Sequence, residues 1–148
     1  EDLELKRDTL AYFSVPQIER FNEAALRSTV RRELAWLFNT TNLASTIDLE
    51  PYPQVRTSVL NYGVPDLSGK AVTNRLVHSR ARDIRAAIQA YEPRIDRASL
   101  EVHGSEEIEK ENSITFIIEA DVTSAVRAIP VRFRTDFELD TSAASVRD

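Results

Sequence analysis

The chain has 148 residues, 42% hydrophobic and 29% charged, with 24 acidic against 19 basic side chains and a net charge of −5. That length and balance suit one globular domain with its own core, and the acidic surplus gives no basic field for nucleic acid or anionic lipid. The absence of cysteine excludes disulfides, thiolate catalysis and cysteine-held zinc together.

No apolar run approaches the roughly 20 residues of a membrane-spanning helix. The start, Glu1-Asp2-Leu3-Glu4, is acidic where a secretory leader would be basic and then apolar. The expectation is a single domain over 1–148 without nucleic-acid partner or membrane insertion. Residues 1–15 carry Leu3, Leu5, Leu10, Tyr12 and Phe13 among charges, which reads as an extended arm packed along the domain or on a neighbour. Ser14-Val15-Pro16-Gln17 has the form of a helix start, with Ser14 as cap and Gln17 placed to reach back.

Beyond it, Leu26, Val30, Leu34, Leu37 and Phe38 recur at helical spacing and commit one stripe to a core. Arg27, Arg31 and Arg32 take other faces, and Trp36 reads as the edge of the core. Asn39-Thr40-Thr41-Asn42 ends this helix, and 43–53, with Pro51 and Pro53, reads as loop. Val55, Val59 and Tyr62 suggest a short helix closed by Gly63 in a left-handed conformation. Further helix is predicted near Val72 to Val77, and a separate one from Ser79 or Arg80 to Tyr91 on the stripe Ile84, Ala87, Ile88, Tyr91.

After Pro93 the period becomes that of strands. Ala98, Leu100 and Val102 form one alternating set, followed by a hairpin or loop over His103 to Glu107. Ile114 to Val122 forms a second set, and Val131 to Leu139 a third across a connection from Thr123 to Pro130. The predicted class is α+β: a small antiparallel sheet of three or more strands in the C-terminal half, covered by N-terminal amphipathic helices, with 141–148 as a flexible tail. On the last strand Arg132, Arg134, Asp136 and Glu138 alternate as a solvated face. A sheet of few strands leaves edges that are either protected or used to accept a partner strand.

The chemistry a lone domain could carry is narrow. His78 and His103 stand apart, one read before a helix and one beside a turn, with no ligand spacing around them, so no metal or other cofactor is expected. Gly63, Gly69 and Gly104 are too scattered for a phosphate loop, and no serine has a nucleophile elbow. Glycoside hydrolysis needs only two separated carboxylates, for which Glu33, Asp66 and Glu92 are the candidates.

The hinge of the chain is Tyr91-Glu92-Pro93-Arg94, where proline stops a helix and Arg94 is expected to open an extended segment. A carboxylate and a guanidinium at a fixed corner either pair locally or serve as a recognition unit. As a surface pair they would contribute about 0–1 kcal/mol.

Three segments carry a family resemblance: Val30-Arg31-Arg32-Glu33-Leu34-Ala35-Trp36-Leu37-Phe38-Asn39-Thr40, Ser58-Val59-Leu60-Asn61-Tyr62-Gly63-Val64-Pro65-Asp66-Leu67, and Ile84 to Ile88 leading into Tyr91-Glu92-Pro93-Arg94-Ile95. Their order and spacing resemble the baseplate wedge proteins of contractile injection machines, the TssE subunit of type VI secretion and its contractile phage-tail relatives. The resemblance implies a cytoplasmic, non-enzymatic subunit that links the larger wedge subunits, of TssF and TssG type, to the contractile sheath and seeds sheath assembly by strand exchange. By position it assigns wedge docking to Glu92, Pro93 and Arg94. The chain departs from the family pattern in Tyr91 and Ile95 around the motif, and in Asn39-Thr40-Thr41 where Asn-Thr-Arg is usual. Some phage relatives have been labelled lysozymes, so a peptidoglycan hydrolase with a carboxylate pair is the alternative; a free-standing peptide-binding module is a third.

Overall fold

A computed structural model describes residues 22–105, 112–124 and 127–148. The expected helix start at Ser14 to Gln17 and the arm over 1–15 lie outside these residues. Helix α1, Glu23–Phe38, is opened by Asn22, whose Oδ1 accepts from the Ala25 N–H at 2.9 Å. Its predicted stripe is buried throughout, from Leu26 to Phe38. Trp36 is not at the core's edge: it is 57% exposed, with the Arg32 guanidinium over its ring at 5.3 Å.

The stretch after α1 is a braced loop with short turns, a 3-10 turn at Leu43–Ser45, the one-turn helix α2, Pro53–Arg56, and a second 3-10 turn at Val59–Asn61. Val59 is 81% exposed, so it belongs to no buried stripe. Gly63 has φ +126°, and a Cβ there would stand 2.2 Å from the Thr40 carbonyl oxygen. Glycine is needed for this close approach, in which the Val64 N–H donates to Thr40 (2.8 Å) and the Asn42 N–H to Val64 (3.1 Å).

Two expected helices form one, α3, Asn74–Tyr91, capped by the Thr73 hydroxyl, which accepts from the Leu76 N–H at 3.1 Å. The apolar period is interrupted in sequence because the core-facing position between Val77 and Ile84 is held by Arg80, only 1% exposed. His78 therefore sits within α3, on its exposed side.

Strands β1, Glu101–Gly104, β2, Ser113–Thr123, β3, Ala128–Glu138, and β4, Ala144–Arg147, form an antiparallel sheet in the order β1-β2-β3-β4. The α+β class holds, with the helices N-terminal to the sheet. Its inner face sets Phe116, Ile118, Val122, Phe133 and Phe137 against Val30, Leu34, Phe38, Ile84 and Ile88. Helix α1 packs over β4 and β3, and α3 over β1.

Three boundaries differ from expectation. Strand β1 includes His103 and Gly104, while the residues before Leu100 are a turn in which Asp96 accepts from the Ser99 N–H at 3.0 Å. Strand β3 begins at Ala128 and contains Pro130, which a strand tolerates where its missing N–H would face away from the ladder. Residues 141–148, read as a flexible tail, contribute β4. Asn39 holds it: its Nδ2 donates to the Ala144 carbonyl and its Oδ1 accepts from the Ala144 N–H, each at 2.9 Å, as a strand residue would.

Candidate functional site

Helix α3 ends with the Glu92 N–H donating to the Ile88 carbonyl at 2.9 Å, and Pro93 cannot continue it. Glu92 folds back over the next turn. Its Oε1 accepts from the Arg94 N–H at 3.1 Å and Nε at 2.7 Å, and its Oε2 accepts from Nη2 at 2.7 Å. This is a fork-on-fork pair with a backbone bond added. It is not a surface pair, since the Glu92 side chain is 4% and the Arg94 side chain 33% exposed. The bond to Glu92 pushes the Arg94 pKa up and holds the guanidinium charged.

Arg94 lies in the turn and does not itself open a strand. Its carbonyl accepts from the Thr123 N–H at 2.8 Å, Ile95 bridges Val122, and the Asp96 N–H donates to Asp121 at 2.9 Å. The corner is thereby fixed to the end of β2.

A cleft of about 220 Å³ opens beside it, lined by Glu33 and Leu37 of α1, Tyr62, Tyr91 and the corner itself. Small-molecule sites usually enclose about 300–1,000 Å³. The Tyr91 hydroxyl donates to the Ser58 carbonyl at 2.8 Å, and Tyr62 meets the Tyr91 ring edge-on at 5.3 Å. Burial raises the pKa of both phenols, with the Glu33 and Glu92 charges adding to the effect at Tyr62.

The three carboxylates singled out for hydrolysis are each committed. Both Glu92 oxygens face Arg94, and Glu33, which shares the cleft, pairs with Arg32 at 3.2 Å. Asp66 lies elsewhere, accepting from Ser142 Oγ (2.6 Å), Ser68 Oγ (2.7 Å) and the Ser68 N–H (2.9 Å), which lowers its pKa to about 2. A general acid for glycoside cleavage must instead carry its proton near neutral pH. His78 and His103 are both exposed, and the described residues contain no group of three metal-ligating side chains.

Two polar centres escaped the sequence. Arg80 donates to the Pro65 carbonyl and lies 4.8 Å over the Phe137 ring, while its Nε has no acceptor. Burial foremost lowers its pKa to about 10, against the pull of Asp83 and Asp66. The signal was an arginine at the i−4 position from Ile84, inside an apolar stripe. On the outer sheet face Asp136, expected to be solvated, is 4% exposed because Thr115 Oγ1 donates to it at 2.7 Å and Arg147 of β4 donates to its other oxygen.

No helix among the described residues is long and apolar enough to cross a membrane. No curated protein sequence matches the chain. The sequence profile of the family described as baseplate wedge protein gp25 matches residues 24–126, from the first turn of α1 through β2 to the connection before β3. That match takes in the corner, the loop that braces it and the strand it is fixed to, and the chain belongs to the baseplate wedge protein gp25 family.

Proposed function

We propose that the chain is the small wedge subunit of a contractile injection machine of type VI secretion kind, working in the cytoplasm without catalysis. Family membership supports a structural baseplate role and contact with other baseplate proteins. The finer reading is that Glu92, Pro93 and Arg94 dock onto larger wedge subunits of TssF and TssG type, while the sheet seeds the contractile sheath by strand exchange.

The observation that carries the docking is the Glu92–Arg94 geometry. Glu92 occupies Nε and one side of Nη2, and among the described residues the rest of the guanidinium has no other hydrogen-bond acceptor, which supports its use toward a partner from a corner held rigid by β2. Little ordering remains to oppose binding, which favours affinity.

The test is capture of the purified larger wedge subunits by this chain and by Arg94→Lys. Lysine keeps a cation beside buried Glu92 but loses the planar fork. The expected result is a folded variant that no longer captures the partners. Capture equal to wild type would remove the docking assignment. Release of soluble fragments from purified peptidoglycan by the wild-type chain would restore the hydrolase reading.

A further inference from the structure

Helix α1 leaves one aromatic outside the core. Trp36, the single tryptophan of the chain, is 57% exposed, while Leu34, Leu37 and Phe38 on either side of it are buried. The helix does not need it for packing, since its buried face is complete in Leu26, Val30, Leu34, Leu37 and Phe38. Nor is the ring slack: the Arg32 guanidinium, from the preceding turn, lies over it at 5.3 Å.

The same Arg32 connects Trp36 to the corner. Its Nη2 donates to Glu33 at 3.2 Å, and Glu33 lines the cleft together with Tyr62, Tyr91, Pro93 and Arg94. The Glu33 charge acts on both Tyr62 and Arg94. From ring to guanidinium to carboxylate to corner the contacts are continuous, so Trp36 and Arg94 border one surface. Its two borders are alike in chemistry: each has a solvent-facing guanidinium steered by a neighbouring carboxylate, Arg32 by Glu33 and Arg94 by Glu92. Tryptophan, tyrosine and arginine are the side chains that most often dominate the binding energy of an interface. A stacked tryptophan gives a large contact area with little rotamer freedom left to lose.

We propose that Trp36 is the apolar anchor of the docking face, and that the larger wedge subunit meeting Arg94 covers it with an apolar side chain flanked by carboxylates, one toward each guanidinium. The inference rests on the docking reading above and extends that face from the corner across the cleft to α1.

The test uses the full chain with the purified larger wedge subunits, in two arms. In the first, the one tryptophan is replaced biosynthetically by fluorotryptophan, so that a single fluorine resonance reports Trp36. The shift of that resonance between light and heavy water, large for a ring open to solvent, is expected to persist in the free chain and to be lost on adding the subunits. In the second arm, Trp36→Ala is expected to fold with a urea midpoint close to that of wild type and to bind the subunits more weakly by about ten-fold or more, as the loss of a hot-spot side chain does. Tyr52→Ala removes an aromatic equally exposed but away from the cleft and is expected to bind as wild type. Capture by the wild type with Trp36 still open to solvent, or undiminished capture by a folded Trp36→Ala, would overturn the anchor and leave docking at the corner to be judged by Arg94→Lys. No capture by the wild type would overturn the docking reading and the anchor with it. A resonance already shielded from solvent in the free chain would show that the chain itself covers the ring, or a second copy if light scattering gives doubled mass, and would reject the proposal. Equal losses in Trp36→Ala and Tyr52→Ala would reject it as well, as a general effect of surface apolarity. If Trp36→Ala fails to fold, the fluorine arm decides alone.

Discussion

Arg94 and Arg80 stand on the same layer boundary and solve opposite problems. Arg94 is a third exposed and satisfies a buried carboxylate through two side-chain bonds and its own N–H. Arg80 is buried almost completely, yet it donates to one carbonyl, leaves Nε unpaired and meets its countercharges Asp83 and Asp66 only through space. A charge at the surface side of a fold can be an asset to a buried partner, whereas a charge in the core is tolerated for the volume that its stem fills. The first is therefore suited to recognition and the second to packing.

The comparison breaks most visibly at Arg80. Arg80→Ala opens a cavity beneath Phe137 and is expected to cost about 3 kcal/mol in denaturant unfolding, within the range for large-to-small core changes. Arg80→Met keeps the apolar stem and removes the desolvated cation, so its stability should lie within about 1 kcal/mol of wild type. A methionine variant as unstable as the alanine one would mean that the guanidinium itself holds the fold.

At Arg94 the order should reverse. Arg94→Ala strands Glu92, 5% exposed, without its cation, at an expected cost of about 2 kcal/mol. Arg94→Met should cost nearly as much, because volume is not what Glu92 lacks. Urea midpoints of the two series check this directly. The surface-pair value of about 0–1 kcal/mol would return only if Glu92 were solvated, so alanine at Arg94 confounds folding with docking and lysine does not.

The same contrast explains what could be read from the sequence. Periodicity disclosed α1, β2 and β3 because their inward positions are apolar except for buried Thr135, and Pro93 disclosed the corner because its effect on a helix is local. Arg80 hid the continuity of α3, since a charged residue at a core position carries no apolar signal. Strand β4 was hidden for another reason: four residues alternate too briefly to register, and the partner that fixes them, Asn39, lies 105 positions away. Glu92 and Arg94 were legible as a pair, but the burial of Glu92 depends on Tyr62, Tyr91 and α1 closing around it, which is a tertiary fact.

Asp66 supplies the smallest effect and the sharpest check on how Arg80 is held. The two serines lower its folded pKa from the ordinary 3.8 to about 2, so the native state binds fewer protons than the unfolded chain between those values. Its contribution is therefore present above about pH 4 and is lost as pH falls toward 2. Asp66→Asn should be less stable than wild type at pH 6, and the difference in thermal midpoint should narrow as pH falls from 4 and vanish only below about pH 2. Ser142→Ala should show a weaker form of the same convergence, because Ser68 still donates. Asp83 has the opposite sign: burial raises its pKa, so its contribution is present at low pH and lost as pH rises through the raised value. In Asp83→Asn the convergence of the Asp66 pair should persist. If Asp83→Asn abolishes it, Asp66 and Asp83 act on Arg80 as one unit, and the cation is held by a network instead of being carried by its stem.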